Sequence, residues 1–360
     1  MKRILMAIIF SLSLLGPQLA VAESASKDAA GDKPVYLKVP LAYPSSLPGL
    51  GTSIKYLAEK APIISDGSVN FKIYEPKKLL PPFEMLGAVD KKVVQACYGV
   101  SGYWAGKVGN ALNFFTAVPF GPEAPEYLAW VYEGNGLKLW QEAYDRKGFN
   151  VKVFPCGIIS PETSGWYTKE IKSAADFKGL PIRFFGLGGQ VLTKLGASVQ
   201  LLPGGEIFGA LEKGVIEGAE FSMPAIDKLL GFYKVAKYNY FPGWHQQATY
   251  LELLINKDVW NGMTEKQQMI IEELCKSATL TNLAYCESIQ APQIRKNAAE
   301  NGVKNMRWSG EMLDTFENAW KEVVKEESAK DPFFKKVWDD LSSFREEYKN
   351  WSKYGFLPRK

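Results

Sequence analysis

The chain has 360 residues, with 43 Lys and Arg against 39 Asp and Glu and a formal net charge of +4. Lys2 and Arg3 lie in the leading segment, so 41 basic against 39 acidic residues remain after it, a balance that gives no reason to expect nucleic acid or an anionic membrane surface as partner. The roughly 338 residues that follow are enough for two domains.

Met1-Lys2-Arg3 is a short positive start, and Ile4 to Leu15 is apolar except for Ser11 and Ser13. Gly16-Pro17 breaks that run, and Ala20-Val21-Ala22 offers small residues for cleavage. The pattern predicts a secretory signal peptide over residues 1–22, cut near Ala22, which places the mature chain in the periplasm. The run is too short to span a bilayer, and no later segment is apolar enough to do so. Without a cysteine at the cut, a lipid anchor is not expected. Residues 23–33 read as a flexible leader.

Val35–Leu41 reads as a strand, followed by the loop Tyr43–Gly49 and an amphipathic helix to about Ala61. Val69–Tyr74 is a second strand, Pro81-Pro82 opens a helix, and Val93–Val100 is a third strand. Strands alternating with helices predict an α/β fold with largely parallel strands. The middle repeats this grammar: strands at Val151–Phe154, Ile182–Phe185, Ser198–Leu201 and Val215–Phe221, and helices at Gly189–Leu195 and Glu206–Lys213, the latter stopped by Gly214. The last third is helical. Thr264 with Gln267 forms a capping box, after which Ile271, Leu274, Cys275 and Ala278 recur at helical spacing. Two more helices are expected near Ser309–Lys325 and Asp331–Tyr348.

Four cysteines, Cys97, Cys156, Cys275 and Cys286, show neither CxxC nor zinc spacing. Cys275 and Cys286 fall about three turns apart on one helix, too far for a disulfide. The simplest reading is buried thiols, with a Cys97–Cys156 bridge open after export.

Few enzyme signatures survive inspection. His245 is the single histidine, which excludes three-His and HExxH zinc sites. No G-x-S-x-G elbow or P-loop is present, and Gly186-Leu187-Gly188-Gly189 lacks the third spaced glycine of a dinucleotide fingerprint. His245 is read as packing near a hinge. Arg183 is different, because it stands inside the apolar strand Pro181–Phe185. A buried arginine needs a negative partner. That partner is either a neighbouring carboxylate in a structural salt bridge or the carboxylate of a ligand, which the guanidinium fork matches. Glu220 is either an ion-pair partner or an oxygen ligand for a hard cation. Glu162, in Ser160-Pro161-Glu162-Thr163-Ser164, is a solvated loop acid or a site residue.

The stretch Ser173–Arg183, Leu195-Gly196-Ala197 and the string Leu202–Glu220 together resemble the DctP-type substrate-binding proteins of tripartite ATP-independent periplasmic (TRAP) transporters. Pro48–Thr52, Asn113–Gly121, Phe154–Gly157, Gly165–Tyr167 and Tyr240–His245 resemble its 2-oxo-acid branch. The resemblance implies a two-lobed periplasmic binding protein fold, type II-like, with a cleft between the lobes and a helical C-terminal tail. Residues 34–154 would be mainly the first lobe and 155–243 mainly the second. Residues 244–360 would cross back and supply helices spanning both.

In this picture Arg183 binds the carboxylate of a small 2-oxo or 2-hydroxy acid, and a sodium or calcium ion bridges ligand and protein. The implied cation ligands are the side chains of Glu162, Glu220 and Gln246 and the main-chain oxygen of Phe221. Tyr103 and Trp104 match an aromatic wall, and Trp244 is the best cleft candidate of its aromatic run. No organic cofactor is implied. The implied partners are the large and small TRAP membrane subunits. Relatives commonly carry Gln where Glu162 stands and Glu where Gln246 stands, so the two types are exchanged here, and Phe221 replaces a tryptophan. Glu162 paired with a ligand amine, a zwitterionic cargo, stays open. So do a sensor for a signalling receptor and an exported enzyme using Glu162 as general base. Trp338, Phe344, Tyr348 and Trp351 on the tail either pack across the protein's own lobes or form a homodimer through the C-terminal helix.

Overall fold

The computed structural model describes residues 32–357, so the expected signal peptide and almost all of the expected leader lie outside the described residues. The strands in chain order are β1 (Val35–Pro40), β2 (Val69–Tyr74), β3 (Ala96–Gly99), β4 (Val151–Ile159), β5 (Trp166–Tyr167) and β6 (Pro181–Arg183). They continue as β7 (Ser198–Gln200), β8 (Gly218–Ala219), β9 (Tyr238–Phe241), β10 (Thr249–Asn256) and β11 (Lys304–Arg307).

In the first lobe, β1 and β2 pair in parallel, and Leu41 just beyond β1 bridges Tyr98 of β3. β3, β10 and β4 form a second ladder in the order β3-β10-β4. The second lobe holds the six-stranded order β11-β9-β5-β8-β6-β7. The expectation of largely parallel strands needs correction. β6 pairs in parallel with β7 and β8, but β5 runs against β8 and β9, and β10 runs against β3 and β4. Connectivity is the reason. The chain leaves the first lobe through β4 into β5 and returns through β9 into β10, so the outgoing and returning strands oppose each other.

The crossings themselves, residues 160–165 and 242–248, lie side by side. Glu162 N–H donates to Gln246 O at 3.2 Å, and Ser164 N–H to Tyr240 O at 2.7 Å. Gly243 permits this approach, since a Cβ there would collide with the main-chain carbonyl of Glu162. β10, Thr-Tyr-Leu-Glu-Leu-Leu-Ile-Asn, is buried throughout, as a central strand should be. Its one charged residue, Glu252, accepts hydrogen bonds from Trp104, Trp140 and Tyr144.

The capping box at Thr264 and Gln267 starts a helix of 37 residues, Glu265–Asn301, which ends at left-handed Gly302. It packs on β4 and the helix Thr52–Ile64 at one end and on Pro224–Leu229 of the second lobe at the other. The helices Gly310–Lys330 and Pro332–Gly355 pack together. The first lies against Gly186–Lys194 in the second lobe and the second against the first lobe, so the tail spans both. The strand expected over Val215–Phe221 shortens to β8, although Glu220 N–H still donates to Arg183 O at 3.1 Å and its carboxylate takes Phe185 N–H at 3.0 Å. No helix among the described residues is long and apolar enough to cross a membrane.

Cys156 is disulfide-bonded to Cys275, with Cα atoms 4.3 Å apart, which replaces both the all-thiol reading and the Cys97–Cys156 option. β10 lies between β3 and β4, so Cys97 is two strand spacings, about 9–10 Å, from β4. The long helix instead lies directly on β4 and brings Cys275 to Cys156. Cys97 and Cys286 are buried thiols.

Candidate ligand and cation site

The lobes meet over a narrow cavity of about 20 Å³, room for roughly one water. Tyr43, Leu50 and Tyr103 line it from the first lobe, and Arg183, Phe185 and Phe221 from the second. Glu162, Gln246 and Thr249 come from the two crossings and the start of β10. Rings touch across the cleft, Tyr43 with Phe221 at 6.3 Å and Tyr103 with Phe185 at 5.8 Å between centroids, so the cleft is closed.

Arg183 ends β6 and is 1% exposed. Its Nη1 donates to the main-chain oxygen of Glu220 and, at 2.9 Å, to Glu220 Oε2. Nε donates to Leu202 O at 3.3 Å, and the guanidinium lies 5.3 Å from the centre of the Phe221 ring. Arg183 thus makes the structural salt bridge of the first reading, and it also lines the cavity. Nε and Nη1 are committed, and Nη2 makes no hydrogen bond to another described residue, so one guanidinium nitrogen remains uncommitted in this closed form.

The acids around it are each half satisfied. Glu220 Oε2 accepts from Arg183 and from Phe185 N–H, while Oε1 is buried without a partner. Glu162 Oε1 accepts from the Thr249 hydroxyl at 3.3 Å, while Oε2 has none. Gln246 Nε2 donates to Thr249 Oγ1 at 2.8 Å, leaving Oε1 unpaired. Both ring nitrogens of His245 lack a hydrogen-bond partner as well. His245 Nε2 stands 3.7 Å from Glu162 Oε2 and 3.6 Å from Glu220 Oε1, charge contacts rather than hydrogen bonds. One ligand atom from each of Glu162, Glu220 and His245 lies within 4.8 Å of the others. Each unsatisfied buried acceptor costs about 1–3 kcal/mol, so this convergence fits a positive centre. Burial, reinforced by Glu220, pushes the Glu162 carboxyl up. Burial works on Glu220 too, but the Arg183 guanidinium and His245 outweigh it and hold that carboxyl down. Burial would lower His245, and the two carboxylates overcome it and raise the imidazole.

The structure brings Arg183, Glu162, Phe221, Gln246 and Tyr103 around the cavity, with Phe221 contributing its ring, and sets Glu220 beside them against Arg183 and His245. It moves two others away. Trp104 is fully buried, and its indole N–H meets Glu252 Oε1 at 2.5 Å in the first-lobe core. Residues 101–104 form one 3-10 turn, so Tyr103 and its neighbour point different ways, and the indole goes where an acceptor is. Trp244 stacks on Phe316 at 4.6 Å and Phe184 at 5.9 Å, packing rather than lining the cleft. Tyr43, Phe185, Thr249 and the position of His245 between Glu162 and Glu220 are additions. Thr249 follows Gln246 by three residues and ties it to Glu162, a link that the sequence does not display.

A two-lobed α/β protein whose paired crossings close a cleft over a buried arginine is built as a solute-binding protein. Residues 43–331 match the model of the bacterial extracellular solute-binding proteins, family 7 (DctP). The chain belongs to this family of TRAP transporter solute-binding proteins. It is 34% identical over 328 residues, covering 91% of this chain and 89% of the relative, to a monocarboxylate 2-oxoacid-binding periplasmic protein of Nostoc sp.. Its fold matches a TRAP solute-binding protein of Bordetella bronchiseptica with calcium and picolinate bound (TM-score 0.86, 31% identity, 90% of this chain and 95% of that chain). It matches equally one of Pseudoalteromonas atlantica with bound sodium and pyruvate (TM-score 0.85, 29% identity, 90% and 97%).

Proposed function

We propose that this protein is the exported receptor of a TRAP transporter, delivering a small 2-oxo or 2-hydroxy monocarboxylate to the large and small membrane subunits. The observation that carries this reading is the pairing of one cationic and one anionic half-site in a single cleft. Arg183 meets the ligand carboxylate. The unsatisfied oxygens of Glu162, Glu220 and Gln246, with the main-chain oxygen of Phe221, hold a cation that takes the ligand's second oxygen. Relatives with sodium or calcium beside pyruvate or picolinate support it. The narrow closed cleft favours acids of few carbons. Ligand bound to the closed lobes shifts the open–closed equilibrium, and the closed form is what docks on the membrane subunits. Glu162 acts here as a ligand rather than a general base, since no nucleophile–base pair accompanies it, and the protein is a carrier rather than an enzyme. Export by a signal peptide cut near Ala22 completes the picture.

Thermal unfolding with 2-oxo, 2-hydroxy and amino acids, each with sodium, calcium or chelator, tests the reading. Ligand at 100 times its Kd adds about 2.7 kcal/mol. Stabilisation by 2-oxo acids only when a cation is present is the expected result. Stabilisation by amino acids alone would instead assign Glu162 to a ligand amine. The tail supports a homodimer through the C-terminal helix, since Trp351 and Tyr354 are 59% and 77% exposed on its last turns. Sedimentation of the Trp351→Ala/Tyr354→Ala variant should then show a monomer.

A further inference from the structure

We propose that the Tyr103 ring is the partition that sets how long a ligand this cleft accepts, and that behind it lies a groove able to hold the chain of a longer 2-oxo acid. This rests on the cleft being a carboxylate site, as above, and names the residue that limits its cargo. Three observations carry it. First, Tyr103 lines two spaces at once, and no other residue is common to their linings. On one side is the closed cavity of about 20 Å³ that Arg183 lines. On the other is a groove of about 320 Å³, whose rim residues Gly106 and Lys107 are exposed. Tyr103 is accordingly half-buried, whereas the other cavity rings, Tyr43, Phe185 and Phe221, are buried.

Second, the partition is seated by rings from both lobes. Phe83 meets Tyr103 edge-on at 4.9 Å from the first lobe, and Phe185 meets it at 5.8 Å from the second. Gly102 is what admits Phe185 so close, since a Cβ there would collide with Phe185 Cζ. The wall is therefore complete only when the lobes are shut. Third, the groove suits an acyl chain. Its surface is mostly apolar, with Phe83 and Leu201 as side walls and Gly102, Ala105 and Gly186 leaving room between them. Each methylene buried there would tighten binding about fourfold, a gain that the Tyr103 ring withholds.

Pyruvate and 2-oxohexanoate, which differ by three carbons, are titrated calorimetrically into the mature protein with sodium or calcium present. In the unaltered protein, which needs no variant to fold, the longer acid should bind no tighter than pyruvate. Tyr103→Ala joins the two spaces and should shift the preference at least about tenfold towards 2-oxohexanoate, against about 60-fold for three fully buried methylenes. Tyr103→Leu, which keeps an apolar side chain at this position, should give a smaller shift in the same direction. Adding Leu201→Trp to Tyr103→Ala narrows the groove without touching the cavity. It should cancel most of the gain and leave pyruvate binding within about threefold of Tyr103→Ala. Three results overturn the proposal: unaltered protein that binds 2-oxohexanoate tenfold tighter than pyruvate, folded Tyr103→Ala and Tyr103→Leu without the shift, or a gain that survives Leu201→Trp. If the unaltered protein still binds pyruvate, only this inference fails. If it binds neither acid with either cation, the cleft reading fails with it.

Discussion

Arg183 makes a buried salt bridge to Glu220 and lines the cleft proposed for the ligand, and the two roles can be separated by substitution. Arg183→Ala removes three donated bonds, two to Glu220 and one to Leu202 O. It leaves Glu220 fully buried with Phe185 N–H and a histidine 3.6 Å away. Stripping one partner from a buried pair costs about 3–5 kcal/mol, so this variant should unfold that much more easily in guanidinium. Arg183→Lys keeps the charge but cannot serve Glu220 and a ligand together. Losing one charge-assisted bond, about 1.5–3 kcal/mol, should weaken pyruvate binding roughly 10- to 140-fold by calorimetry. Arg183→Met/Glu220→Met removes both charges at once, so it should be more stable than Arg183→Ala while binding stays lost. Two results refute the reasoning: Arg183→Lys binding pyruvate within threefold of wild type, or Arg183→Ala losing less than about 1 kcal/mol.

Burial pushes the Glu252 carboxyl up from its ordinary 4.5 to about 7, against the pull of Trp104, Tyr144 and Trp140. The folded state therefore holds a proton that the unfolded chain has released. The stability this contributes is complete below pH 4.5 and lost as pH rises through about 7, and a gap of about 2.5 pH units at 1.36 kcal/mol each gives about 3 kcal/mol. Urea unfolding at pH 5 and pH 8 should show that loss in wild type and show it reduced by this amount in Glu252→Gln; equal slopes would reject it. The Cys156–Cys275 bridge closes a span of 119 residues, so Cys156→Ala/Cys275→Ala should lower unfolding free energy by about 2–5 kcal/mol and raise m, because the unfolded chain without it is less compact.

What the sequence disclosed depended on how local its cause is. The capping box at Thr264 acts over a few residues, and its helix starts where that pattern puts it, whereas the buried strand β10 was not among the expected strands. Arg183 was legible because a charge in an apolar strand must have a partner. Glu252 carries the same signal, a lone acid in Tyr-Leu-Glu-Leu-Leu, and answers it with two tryptophans and a tyrosine instead of a cation. Trp104 could not be placed, because a residue's side of a 3-10 turn is decided by where an acceptor lies, and Glu252 is 148 residues away. The disulfide required knowing that β10 separates β3 from β4, a fact of sheet order and not of spacing. His245 is the instructive case. A single histidine excludes the familiar metal motifs, which count ligands along one chain segment. Here the converging polar groups are gathered instead by the paired crossings, one carrying Glu162 and the other His245 and Gln246, with Glu220 brought in from the β8 edge. A there-and-back connection lets each passage contribute one or two donors, so a site of this kind leaves no compact motif in either segment.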